Sequence, residues 1–578
     1  MESKINKSHI FTDILFSLFL IILGAFLFAF SNPNPIVKKG FPLSAWLMYV
    51  PLLLLIKKNP LKICWLYSGL YGMLCVAMYA YWLYNYDSIC LYIALPIAFI
   101  ATVLLGLIIK VMEKLFVKNA WFVQFLVLCT FEYIRTLGFL GFHYGLAAYT
   151  QWNVSAIIQS SALFGVFGLN AIIIFSSVII FAFISKIQDK KRYLHQIVSD
   201  NKLYDGASYV SYVSENEKLM ENSSLRNPVI GLCIWIFIFI VMLVYGGISL
   251  KKSEAYDSVT VAAIQHNDNP DHNGMENFSE SLMQLISLSD EALEMNEQIK
   301  IVVWPETALV PSVIYHANST GQSDRKKLVS FFIDYVNKRQ AAFITGNQHI
   351  KSNSTGSGKN YYNSAILFEN GKNALPSEAA IYSKIKLVPF SEYFPYEKYF
   401  PHIYKSLLEK EKFFWTPGEE IKIFECQGLN IYTPICFENT FPALCRNAYK
   451  KGARTFFCLV NDSWSKSLSC QYEHLAMAKF RAVENHVPVL VSSVSGQTAF
   501  INQKGQIISM ANPFTKTYVI DDVPLIPLSQ KPTLYNRIGD IFGYGIAILL
   551  LLVLIIRGLI AIINKVIWQN AQKQEKRI

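Results

Sequence analysis

The chain has 578 residues, of which 53% are hydrophobic and only 16% charged. That length asks for two or three domains, and that balance excludes an ordinary soluble protein in favour of an integral membrane protein. The formal net charge of +11 gathers in short loops and forms no basic stripe interleaved with aromatics, so nucleic acid is not expected as a partner.

Eight apolar segments suited to crossing a hydrocarbon core of ~30 Å as helices are read along the chain. The first covers about 10–30 and ends at the breaker-rich "SNPNP"; it is too long for a signal-peptide core, and no small-residue cleavage site follows. The others lie near 43–56, 63–85, 88–109, 119–138, 154–185, 229–249 and 541–563, the second being short and interrupted by Pro51.

Lys and Arg in short loops set orientation. With the N-terminus inside, Lys4, Lys7, Lys57, Lys58, Lys62, Lys110, Lys114, Lys118, Lys186, Lys190, Lys191 and Arg192 all fall on the cytoplasmic side, as do Lys565, Lys573, Lys576 and Arg577 of the tail 564–578. The outside short loops hold little beyond Lys38, Lys39 and Arg135. Both termini are therefore expected in the cytoplasm and the large segment before the eighth helix outside it.

The membrane domain is expected over 1–250, with 186–228 as a polar cytoplasmic loop. From 257 to 525 the pattern becomes short strands ("SVTVAAIQ", "IKIVVWPE", "AAFITGNQ", "NSAILF", "LNIYTPICFE", "RTFFCLVN", "VPVLVSSVSG") alternating with helical stretches such as 276–297, "DRKKLVSFFIDYVNKR" and "EHLAMAKFRAVEN". Such alternation predicts an α/β or layered α+β domain. Five of the ten cysteines (Cys426, Cys436, Cys445, Cys458, Cys470) belong to this domain, without C-x-x-C or zinc spacing, and an odd number cannot all pair within it.

Two strands run into reactive residues: "IKIVVWPET" into Glu306 and "IYTPICFEN" into Cys436. Between them "YSKIKLVPFSEYFP" holds Lys384, Lys386 and Glu392. A free thiol is only a few per cent thiolate at neutral pH; to attack a carbonyl it needs a base and a nearby positive charge. Glu306 suits the first need and Lys384 the second, with Lys384 also able to donate to an oxyanion. Taken singly, each has a plain structural reading: a helix cap, a surface charge, a core cysteine.

In order, "VVWPET", "YSKIKLVPFSEYFP", "PICFEN", "LVNDSW" and "HLAMAKFRAVEN" resemble the nitrilase (carbon–nitrogen hydrolase) superfamily, and the membrane frame resembles its apolipoprotein N-acyltransferase branch. The resemblance implies an eight-helix polytopic α-helical bundle carrying an extracytoplasmic αββα sandwich over 257–525. It further implies Glu306 as general base, Lys384 as oxyanion stabiliser and Cys436 as nucleophile, with Glu392 and Glu438 supporting carboxylates near Lys384. In the membrane, Glu132 and Arg135 of "FEYIRTLGFLGFHYG" match a further motif, either as helix-packing glue or as a seat for a lipid headgroup.

Three departures stand out. Phe437 replaces a frequent tyrosine, "NDSWSKS" lacks the glycine of N-D-A-W-F-G, and "GFHY" replaces G-F-P-W. The implied reaction passes a fatty acyl chain from a membrane phospholipid, with phosphatidylethanolamine the expected donor, to Cys436 and then to the α-amino group of a diacylglyceryl-cysteine apolipoprotein. The setting is the bacterial inner membrane, and neither metal nor cofactor is called for. The stretch 391–415 carries nine aromatics between charges and is expected to be a lid dipping toward the interface. The alternatives are a membrane-anchored amidase with the same triad, or a catalytically silent binding or scaffold protein.

Overall fold

The computed structural model describes residues 2–575 apart from 87, 139–140, 201–224, 270–273, 353–357, 370–374, 378–379 and 412–413. Most of the expected 186–228 loop thus lies outside the described residues. Its first part is not a loop, because one helix runs from Ser161 to Asp200.

Among the described residues six helices are long and apolar enough to span a membrane: Ile10–Ser31, Leu61–Tyr79, Ser88–Leu115, Ser161–Lys191, Arg226–Lys251 and Ile541–Gln574. The expected count of eight is not confirmed, because two of the expected segments fall short of this measure. The region 43–56 is broken into Pro42–Ala45 and Val50–Lys58, and Leu52, Leu53, Leu55 and Ile56 are buried against protein. The region 119–138 forms Ala120–Ile134, 15 residues; at 1.5 Å per residue that is about 22 Å, short of the hydrocarbon thickness. The final helix continues to Glu575, past the expected end at 563.

Among the described residues the domain over 257–525 holds twelve strands: β1 Ser258–Gln265, β2 Ile301–Val303, β3 Ala342–Ser352, β4 Lys359–Phe368, β5 Ile381–Ser383, β6 Phe424–Cys426, β7 Leu429–Tyr432, β8 Thr455–Val460, β9 Val489–Ser493, β10 Ala499–Ile501, β11 Ile507–Met510 and β12 Thr517–Pro524. They form two six-stranded sheets, β12-β1-β2-β3-β4-β5 and β11-β10-β9-β8-β7-β6. In the first sheet the pleat splits alternate residues between two cores. Val261, Ala263, Ile301, Val303 and Ile344 share a core with Ile431, Phe456 and Val489 of the second sheet. Ala262, Ile264, Val302 and Phe343 pack instead against Leu282, Leu285 and Phe332 of the helices Met275–Met295 and Asp324–Asn337. Burial on both faces is why these strands read as near-continuous apolar runs. Helices Pro442–Lys450 and Leu468–Asn485 cover the other sheet and complete the αββα order.

Leu468–Asn485 is buried along nearly its whole length although its sequence is rich in charge. Its polar residues meet the membrane domain. Glu473 accepts from the Tyr79 hydroxyl, Lys479 donates to the Trp152 carbonyl at 2.6 Å, and Arg481 donates to the Tyr149 hydroxyl at 3.2 Å. Glu484 accepts from the Val166 amide at 3.0 Å. Buried polar groups need partners, and here one helix finds them across the domain boundary.

Candidate active site

The strands end where the reactive residues begin. Trp304, after β2, donates its amide to Ile344, and the turn through Pro305 lies so close to Gly346 that a Cβ there would stand 2.5 Å from the Pro305 carbonyl oxygen. That turn delivers Glu306, 5% exposed. Its Oε1 accepts from Asn363 Nδ2 at 2.8 Å and Lys384 Nζ at 3.3 Å, and its Oε2 from the Asn461 amide at 2.9 Å. Lys384 directly follows β5 and is 1% exposed. Its ammonium donates to Glu392 at 2.7 Å as well as to Glu306.

Cys436 does not end a strand, as the sequence suggested. β7 stops at Tyr432, Ile435 makes a single bridge to Leu459, and Cys436 opens a 3₁₀ turn, Cys436–Thr440. Its φ is +48°, a left-handed conformation that costs a non-glycine residue about 1–2 kcal/mol and persists where the surroundings over-determine it.

Burial, and next the Glu306 carboxylate, push the Cys436 thiol well up; Lys384 pulls it down. The resting sulfur is therefore a thiol. Burial also raises Glu306 above the ordinary carboxylate range, with Lys384 opposing. For Lys384 burial favours the neutral amine, but Glu306 and Glu392 outweigh it and hold the ammonium well above its usual pKa. The site thus offers a half-buried cysteine thiol, a basic carboxylate of raised proton affinity and a fixed cation, a set able to form and stabilise a tetrahedral oxyanion at an acyl carbon.

The two supporting glutamates separate. Glu392 joins Lys384, and its second oxygen accepts from the Val388 amide at 2.8 Å. Glu438 bonds elsewhere, which corrects the expectation that both carboxylates attend Lys384. It accepts from the Tyr382 hydroxyl at 2.8 Å and from the amides of Ile385 at 2.7 Å, Lys386 at 3.1 Å and Ile435 at 2.9 Å. Fully buried, it ties the chain after Lys384 to the chain before Cys436.

Sequence reasoning missed four contributors: Asn363 and the Asn461 amide on Glu306, and Asp462 with His474 beside Cys436. His474 Nδ1 lies 2.9 Å from Asp462 Oδ2, and its Nε2 lies 2.9 Å from the Cys436 carbonyl. Side-chain atoms of Cys436, Asp462 and His474 lie within 4.8 Å of one another, a spacing that metal sites share, but both ring nitrogens are already spent in hydrogen bonds. The signal was available: a histidine amid apolar neighbours on a helix, 12 residues after the aspartate of "LVNDSW".

In the membrane, all three guanidinium nitrogens of Arg135 are engaged, by Glu132 Oε2 and by the carbonyls of Phe142 and Tyr144. Glu132 also accepts from the Tyr49 hydroxyl at 2.9 Å. Of the two readings offered for this pair, packing glue is the one these bonds support. None of the ten cysteines is joined in a disulfide among the described residues.

Residues 260–530 match the carbon-nitrogen hydrolase family, and residues 24–179 match the apolipoprotein N-acyltransferase N-terminal domain. The chain is 34% identical to apolipoprotein N-acyltransferase 1 of Treponema denticola, across 98% of this chain and 100% of that one. It is also 34% identical to apolipoprotein N-acyltransferase 1 of Treponema pallidum, across 93% and 95%. A solved structure from Saccharomyces cerevisiae, Nit3 of nitrilase branch 10, is 17% identical over 49% of this chain and 99% of that one, with a TM-score of 0.34.

Proposed function

Because the chain belongs to the apolipoprotein N-acyltransferase family, an enzyme family of lipoprotein maturation, we infer how its residues divide that N-acylation between them. The full-length likeness carries the activity, with a lipid donor and a lipoprotein acceptor. The placement of Lys384 between Glu306 and Glu392 supports the residue roles.

Glu306 takes the thiol proton as the Cys436 sulfur attacks the ester carbonyl of a membrane phospholipid. Lys384 holds the developing oxyanion. The C–O bond breaks, Glu306 returns the proton to the leaving lysophospholipid alcohol, and a thioester remains. The α-amino group of a diacylglyceryl-cysteine then attacks that thioester. A C–N bond forms, the C–S bond breaks, and the amine's proton passes through Glu306 back to the sulfur. Glu392 keeps Lys384 charged and aimed, and Glu438 fixes the two loops that present Lys384 and Cys436.

Phosphatidylethanolamine is the proposed donor. The Lys and Arg distribution supports a topology with both termini in the cytoplasm and a membrane domain over 1–250. The catalytic domain, 257–525, then lies outside the inner membrane, held by the final helix. Tyr396, Tyr399 and Phe400 are more than half exposed, which supports the reading of 391–415 as a segment that meets the interface.

The test is intact-protein mass spectrometry after incubation with phosphatidylethanolamine, beside a Cys436→Ser variant. A fatty-acyl increment that hydroxylamine removes, and that the variant lacks in this labile form, is expected. A folded wild type left unmodified by several phospholipids would overturn the thioester step. Release of the acyl group to water without an acceptor would favour the amidase reading.

A further inference from the structure

The nucleophile has a second set of partners that the acyl-transfer chemistry does not use. His474 lies between two acceptors, the Asp462 carboxylate on Nδ1 and the Cys436 carbonyl on Nε2, each at 2.9 Å. A ring that donates to both must carry a proton on each nitrogen. His474 and Asp462 are 4% and 3% exposed at their side chains, so little water is at hand to replace either bond. The carbonyl that His474 holds belongs to the residue with φ +48°, the backbone that sets the direction of the sulfur.

We propose that Asp462 and His474 are positioning residues for the acyl-transfer step: His474, doubly protonated and anchored by Asp462, grips the Cys436 carbonyl and holds the left-handed turn that aims the sulfur. This deepens the reading of Cys436 as nucleophile and rests on it. The same helix carries Glu473, which accepts from Tyr79 of the membrane domain, so the grip on the nucleophile is itself braced against the bundle.

The geometry gives the grip a pH dependence. Losing one proton leaves a single N–H, and the neighbouring carboxylate keeps it on Nδ1. Nε2 then turns a lone pair on the Cys436 carbonyl and the grip is released. Although burial favours the neutral ring, Asp462 and the Cys436 carbonyl hold the imidazolium above its ordinary range. A raised folded-state pKa means that the grip is complete at low pH and is lost as pH rises through that raised value. The titratable groups facing His474 are Asp462 on the loop, Glu306 and Cys436 across the site and Tyr144 from the membrane side; Cys470 and Glu473 are carried on its own helix.

The experiment follows thioester formation on the full-length protein from pH 6 to 9, a step that needs no acceptor amine. Wild type should lose rate with the loss of one proton above the ordinary imidazole value of ~6.5. In Asp462→Asn the amide can donate to Nδ1, which leaves a neutral ring with Nε2–H on the carbonyl. The rate at pH 6 should fall severalfold and the basic limb should vanish. His474→Gln keeps one non-titrating donor and should also lose the limb, whereas His474→Ala should be at least tenfold slower than wild type at pH 6, where the grip is complete, and should converge with wild type on the basic limb. A wild-type profile with no decline, a limb left unmoved in Asp462→Asn and His474→Gln, or His474→Ala at the wild-type rate at pH 6 would each overturn the proposal. The two near-isosteric variants and the wild-type profile decide it even where His474→Ala fails to fold. A wild type that forms no thioester, matched to Cys436→Ser, would instead overturn the nucleophile reading and this inference with it.

Discussion

Lys384 Nζ stands 2.7 Å from Glu392 and 3.3 Å from Glu306, so the nearer carboxylate is the one not proposed to move a proton. The pairing leaves Glu306 only partly neutralised and available as a base, while Glu392 fixes the cation. In Glu392→Gln the single amide oxygen can accept from the Val388 amide or from Lys384 but not both, and the charge is gone. Thioester formation is expected to slow about 10- to 100-fold, roughly 1.4–2.7 kcal/mol, with a modest fall in unfolding temperature from the one bond lost. A rate within twofold of wild type, measured by single-turnover intact mass, would remove Glu392 from the site's machinery.

Glu306 predicts the acid side of the profile. Burial raises its pKa above the ordinary ~4.3 of a glutamate, and the base works only when ionised. Activity should therefore be full above that raised value and fall as pH drops through it, at a higher pH than an exposed carboxylate would give. Glu306→Gln should abolish thioester formation while Cys436 stays alkylatable by iodoacetamide. Acylation that persists unchanged to pH 4 would contradict the assignment.

Glu438 predicts loss of structure before loss of chemistry. Its carboxylate faces three backbone amides and the Tyr382 hydroxyl, all donors, so an amide nitrogen there meets donor with donor. Glu438→Gln is expected to cost roughly 2–4 kcal/mol and to lower both the unfolding temperature and the acylation rate. Glu392→Gln, which loses one of two bonds, should lower the unfolding temperature less. A stable, slow Glu438→Gln would place this residue in direct contact with the chemistry instead.

How legible this was depended on the kind of signal. The sandwich strands were readable because burial on two faces writes long apolar runs into "SVTVAAIQ" and "RTFFCLVN". Glu306, Lys384 and Cys436 were readable because polar residues break such runs. What a run of hydropathy does not encode is whether it faces lipid or protein. So 43–56 and 119–138 looked like spans, yet one is broken and buried and the other is 15 residues long. Nor does spacing reveal who bonds whom: Glu438 sits two residues from Cys436 but serves amides of the neighbouring loop. Asp462 and His474 are brought together only by the packing of a loop on a helix.

Lys466 tests a departure noted from sequence alone. It stands where the N-D-A-W-F-G pattern has glycine, and its φ is +46°. The loop has kept the left-handed backbone without the residue that adopts it freely. Lys466→Gly should therefore stabilise the protein by up to about 1 kcal/mol, read as a small rise in unfolding temperature with unchanged circular dichroism. A fall would mean that the lysine side chain contributes more than its backbone strain costs.

Gly165 makes the opposite prediction at the domain boundary. It breaks the helix Ser161–Asp200 with φ +64°, and the next residue, Val166, gives its amide to Glu484 of the catalytic domain at 3.0 Å. A Cβ at this glycine would lie 2.5 Å from the Tyr535 ring, which is buried and cannot swing away. Gly165→Ala therefore combines left-handed strain with overpacking, together roughly 2–4 kcal/mol, and should loosen the catalytic domain from the bundle. Gly247 in the helix Arg226–Lys251 has nothing within 4 Å of such a Cβ, so Gly247→Ala should be neutral or stabilising by up to ~1 kcal/mol. Thermal unfolding of the two variants in one detergent, followed by limited proteolysis at the boundary, separates the cases. Equal unfolding temperatures would mean that the kink is not what holds the two domains together.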